Sequence, residues 1–139
     1  MTTILLYGDT IRYPALRHEV PLEIMDPLLF VVRDGRALVR TSQLEAVRIS
    51  RALPEADVVT TAELGFYDLV DEGMSADEAE LETAVRALRR WGIERAVVPP
   101  DLPVVVADRL RAEGIAIDVD GQTVDQRRRF GSRRGPSRP

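Results

Sequence analysis

The chain has 139 residues, 45% of them hydrophobic, a size at which a single domain can bury a sufficient core. Cysteine is absent, which excludes disulfides, and the longest apolar runs (residues 26–32 and 96–100) fall far below the ~20 residues of a membrane span. The net charge of −4 conceals a split: six arginines follow residue 126, leaving 13 basic against 23 acidic residues in residues 1–126, a formal charge of −10 that argues against a nucleic-acid surface there.

Residues 3–7 predict a first strand, ended by Gly8-Asp9. Pro14, Pro21 and Pro27 then fix φ and remove backbone donors, so residues 10–27 predict a loop with short turns rather than a long helix or a central strand. Residues 28–32 and 37–40 flank Asp34-Gly35, which supplies the positive φ angles of a tight hairpin turn. Ser42 with Glu45 has capping-box spacing and predicts a helix through about Leu53, with Leu44, Val47 and Leu53 facing the core.

Pro54 stops that helix, and residues 56–60 are short and β-rich enough for a strand. Phe66, Leu69 and Val70 allow a short helix between residues 64 and 73. The clearest helix spans residues 75–91: Ser75 with Glu78 is a second capping box, and Leu81, Ala84, Val85, Leu88 and Trp91 form one apolar stripe with charges opposite. Residues 95–98 form a strand, Pro103 opens a helix that points Val106 and Leu110 inward, Gly114 ends it, and residues 116–119 form the last strand.

This alternation predicts an α/β fold, a mixed sheet of five to six strands with helices on its faces, because crossover helices join parallel strands. The folded domain is expected over residues 1–126, with an Arg-rich disordered tail over 127–139. The missing cysteines, and the lack of a leading segment with a basic start and an apolar run, make the cytoplasm the expected compartment.

Residue chemistry offers little for catalysis. His18 is the only histidine, with no second histidine at metal-ligand spacing, which favours a loop histidine making local hydrogen bonds. Asp118 and Asp120 share one side of a strand, and Asp9 is a conceivable third ligand, yet a strand end before Gly121 commonly carries aspartate for turn chemistry alone. No glycine-rich run or Lys-Ser/Thr pair follows Gly8, so a phosphate loop is excluded. A flexible arginine tail offers at most weak, salt-sensitive contacts to phosphates.

Five strings in order, Tyr7-Gly8-Asp9, Leu16-Arg17-His18-Glu19-Val20-Pro21, Asp26-Pro27-Leu28-Leu29-Phe30, Arg95-Ala96-Val97-Val98-Pro99-Pro100 and Gln126-Arg127-Arg128-Arg129, resemble the amino-terminal domain of the creatinase, prolidase and aminopeptidase P family. The resemblance covers residues 3–129 and implies the creatinase amino-terminal fold, with ribonuclease H-like topology. It further implies that peptide hydrolysis belongs to a second, pita-bread domain whose two divalent metals, such as manganese or cobalt, are held by aspartates, a histidine and glutamates outside this chain. The expectation is therefore a non-catalytic chain without a cofactor of its own, whose partner is itself in a homodimer or a catalytic pita-bread domain. Within it, Arg17, His18 and Glu19 would line a substrate entrance or contact a neighbouring subunit. The alternative is a stand-alone protein-interaction or small-ligand module, or one half of a split peptidase.

Overall fold

The computed structural model describes residues 2–131. Strands β1 (Ile4–Gly8), β2 (Leu28–Arg33), β3 (Arg36–Thr41), β4 (Asp57–Thr60), β5 (Arg95–Val98) and β6 (Ala116–Val119) lie side by side in the order β4-β3-β2-β1-β5-β6. The pairs β1–β2 and β2–β3 are antiparallel, whereas β3–β4, β1–β5 and β5–β6 are parallel. Five strands thus end on one edge of the sheet, and β2 runs against them.

The β2–β3 hairpin closes where Asp34-Gly35 predicts, with φ of 53° and 78°, and Arg33 pairs with Arg36 across it. The described residues form six α-helices, α1 (Pro14–Glu19), α2 (Gln43–Ala52), α3 (Phe66–Asp71), α4 (Ala76–Arg90), α5 (Val104–Ala112) and α6 (Gly121–Gln126), with α3 packed on α4. Both expected serine caps form. Ser42 Oγ accepts from the Glu45 N–H at 3.4 Å, and Ser75 Oγ accepts from the Glu78 N–H at 3.2 Å.

Strand alternation sorts the core into two layers. Leu5, Leu29, Val31, Leu38, Ala96 and Val98 meet Ala84, Val85 and Leu88 of α4 and Val106 and Leu110 of α5. Ile4, Leu6, Leu28, Phe30, Val32 and Val39 meet Leu16, Ile49 and Val124 on the opposite face. Strands β1 and β2 are buried on both faces, which is why they read as unbroken apolar runs. Trp91 packs against the first layer half-buried, and its carbonyl accepts from Arg33 Nη1 at 2.7 Å.

Three expectations are corrected. Leu44 and Val47 do not face the core: they are 86% and 57% exposed, and α2 is anchored by Ile49 and Leu53 instead. At about 100° per residue, Val47 lies some 200° round the helix from Ile49, on the outer side. The folded part also runs past residue 126, because Arg127–Gly131 forms a π-helical turn against the body. The rest of the expected tail, residues 132–139, lies outside the described residues. Thirdly, the short helices α1 and α6 occupy stretches that the sequence leaves irregular; α6 is started by Asp120, whose carboxylate accepts from the Thr123 N–H at 3.1 Å. No helix among the described residues is long and apolar enough to cross a membrane.

Candidate functional site

The β1–β2 connection, which carries Arg17, His18 and Glu19, is built from local hydrogen bonds. Asp9 Oδ1 accepts from the N–H groups of Ile11 at 2.9 Å and Arg12 at 2.7 Å, while Oδ2 takes Arg12 Nε at 2.8 Å. Burial opposes ionisation of Asp9, but the bonds from Arg12 and Ile11 outweigh it and hold the carboxyl below the usual aspartate range. Thr10 ties the far end of the connection: its hydroxyl donates to Leu22 O at 2.5 Å and accepts from the Ile24 N–H at 2.7 Å. Gly8 is required at the entry, since its φ is 141° and a Cβ there would stand 2.6 Å from the Tyr13 ring.

These bonds set a pH dependence. A carboxyl with a folded pKa below its unfolded value binds fewer protons in the native state, so its contribution is present above the unfolded value of 3.8 and is lost as pH falls. Asp9→Asn is therefore expected to lower urea stability most at neutral pH, with the gap from wild type closing as the pH drops below about 4. A gap that stayed constant across that range would contradict this role.

Within α1, Pro14 occupies the first turn and the basic residues Arg17 and His18 lie in the last, where the helix dipole favours them. The three candidates do not converge. Arg17 is exposed, His18 is half-buried, and Glu19 is 3% exposed and turned inward. The Glu19 carboxylate forms an ion pair with Arg127, whose Nη2 donates to Oε1 at 3.1 Å and whose Nε stands 2.8 Å from Oε2. Glu19 thus fastens the turn after α6 onto α1, an internal duty that the sequence does not announce.

A second polar cluster lies where β1 and β3 end. Tyr7, Leu29 and Arg40 are adjacent across three strands on the face covered by α4. Arg40 is fully buried; its Nη1 stands 2.7 Å from Glu80 Oε1 and 3.3 Å from Pro27 O, and its guanidinium carbon is 5.8 Å from the centre of the Tyr7 ring. The Nε and Nη2 groups of Arg40 have no hydrogen-bond partner among the described residues. Burial pushes Glu80 above the usual glutamate range against the pull of Arg40, and burial likewise raises Tyr7. A guanidinium with no exposed surface cannot meet a substrate, so this cluster joins β3 to α4 rather than performing chemistry.

The three aspartates weighed as metal ligands are each engaged elsewhere. Asp118 pairs with Arg95 at 3.1 Å, Asp120 caps α6, and Asp9 holds its own turn. Among the described residues no three His, Asp or Glu side chains converge in a way that could hold a metal ion.

Comparison with models of known protein families returns no match. Among solved structures, the crystal structure of aminopeptidase P, an Xaa-Pro aminopeptidase from Streptococcus thermophilus, matches with a TM-score of 0.61 at 12% identity, over 94% of this chain and 86% of that one. The chain has the α/β fold of that aminopeptidase P structure, a likeness of fold. Among curated proteins, the phosphoribosylamine–glycine ligase of Methanopyrus kandleri is 34% identical over 76 residues, covering 53% of this chain and 14% of the ligase. A match over so small a part of that enzyme transfers no activity.

Proposed function

We propose that the chain is a non-catalytic accessory domain of an Xaa-Pro aminopeptidase- or prolidase-like metallopeptidase, which helps to form a dimer and to shape a substrate entrance. The observation that carries this reading is the fold likeness to aminopeptidase P over 94% of the chain. In this role the chain needs no metal of its own. A separate pita-bread domain would hold two divalent cations, such as manganese or cobalt, and these would supply an activated water there. The partner is that domain or a second copy of the chain, and the compartment is the cytoplasm.

Arg17 and His18 are the entrance residues in this proposal. Arg17 is exposed at the end of α1, and its guanidinium offers a planar set of donors that suits it to meet the carboxylate of a peptide. Glu19 is committed to Arg127 and acts by holding α1 in place.

The test is a fusion in which this chain replaces the first domain of an Xaa-Pro aminopeptidase, compared with the catalytic domain alone. The fusion is expected to be dimeric and to depend differently on peptide length, and Arg17→Ala with His18→Ala should shift that dependence through KM. Identical kinetics and assembly for the fusion and the bare catalytic domain would count against the proposal. The alternative, a stand-alone interaction module, is favoured by one specific observation: the outward-facing Val47 lines an open groove.

A further inference from the structure

That groove lies between α2 and the edge strand β4, has a volume of about 320 Å³, and is lined by Ala46, Val47, Ser50, Arg51, Val58 and Thr60. Among the described residues strand β4 pairs with β3 alone, so its other side is an open edge of the sheet. Thr61 donates its N–H to Thr41 O on β3 at 2.9 Å, whereas the Thr60 N–H turns outward to Glu63 Oε1 at 2.9 Å. Alternation along the strand directs the N–H and C=O of Val58 outward with those of Thr60. Glu63 covers the Thr60 donor, a common way to blunt an edge, and so Val58 is left as the residue able to form a further pair.

We propose that this edge binds an extended peptide segment of another protein by strand addition. One peptide residue would exchange both backbone hydrogen bonds with Val58 in an antiparallel pair. Cross-strand partners share a face, so the side chain of that residue enters the groove beside Val58 and Val47, which selects an aliphatic residue. A residue two positions along the peptide projects to the same side, toward α2. Arg51 lines the groove, is exposed, and forms no ion pair among the described residues, so an aspartate or glutamate at that position complements it. The recognised pattern is therefore an aliphatic residue and an acidic residue separated by one. This goes beyond the accessory-domain reading and stands whether or not that reading holds.

The probe is a fluorescein-labelled octapeptide of threonine and serine carrying one valine and one aspartate two positions apart, titrated against the full chain by fluorescence anisotropy. Saturable binding is expected. Methylation of the valine amide should abolish it, and Val47→Glu, at an exposed position that leaves the fold intact, should weaken it strongly. Arg51→Glu should weaken it about tenfold or more, and a peptide with lysine in place of aspartate should recover affinity for that variant. Absence of binding, equal binding by the methylated peptide, or indifference to Arg51→Glu would overturn the proposal. So would sedimentation showing that the chain alone dimerises until Val47→Glu is introduced, since the groove would then belong to a second copy.

Discussion

Glu80→Leu is expected to lower the unfolding free energy by about 3–5 kcal/mol in a urea titration at neutral pH, the largest effect of any single substitution considered. The reason is an asymmetry within the Arg40–Glu80 pair. Arg40 has no exposed surface, so loss of Glu80 strands a buried guanidinium whose Nε and Nη2 already lack hydrogen-bond partners among the described residues. Arg40→Met strands only Glu80, which burial already pushes toward its neutral form, and its cost is expected to be smaller. A carboxyl whose folded pKa is raised binds more protons in the native state, so its ionisation penalises stability as pH rises. The Arg40→Met deficit should accordingly shrink on mild acidification. The double variant with leucine at 80 and methionine at 40 should recover most of the loss, because a packed apolar pair replaces a desolvated ionic one. A single Glu80→Leu variant as stable as wild type would contradict this account.

Arg127→Ala carries the second large effect, about 3 kcal/mol, because it removes the ion-pair partner of a buried carboxylate. Glu19 and Arg127 are 108 residues apart, and their contact joins α1 to the turn that follows α6. Arg128 provides the control. Its pair with Asp125 is long, at 3.7 Å, and exposed, so Arg128→Ala should stay within about 0.5 kcal/mol of wild type. Equal effects of the two substitutions would mean that Arg127 is an ordinary end-of-chain arginine, as composition alone predicts.

These two pairs mark where the sequence stops being informative. Asp34-Gly35, the serines at 42 and 75 and the stripe from Leu81 to Leu88 act through residues within a few positions, and the structure reproduces each of them. Leu44 and Val47 mislead because apolar residues near helical spacing are assumed to face inward, whereas the orientation of α2 is decided by Ile49 and Leu53 against the sheet. Arg40 with Glu80 and Glu19 with Arg127 depend on contacts 40 and 108 residues apart, and a lone charge in a sequence reads as solvated. Of the candidate site, the sequence singles out α1 but not the division of labour within it: Glu19 turns inward while Arg17 stays exposed.

The proposed accessory role requires that this fold, shared with an aminopeptidase P structure, does not perform hydrolysis by itself. Its most direct test is to incubate the purified chain with an Xaa-Pro peptide and excess manganese or cobalt, and to follow release of the first residue by mass spectrometry. No release above the protein-free blank is predicted. Metal-dependent turnover that copurifies with the chain would contradict it.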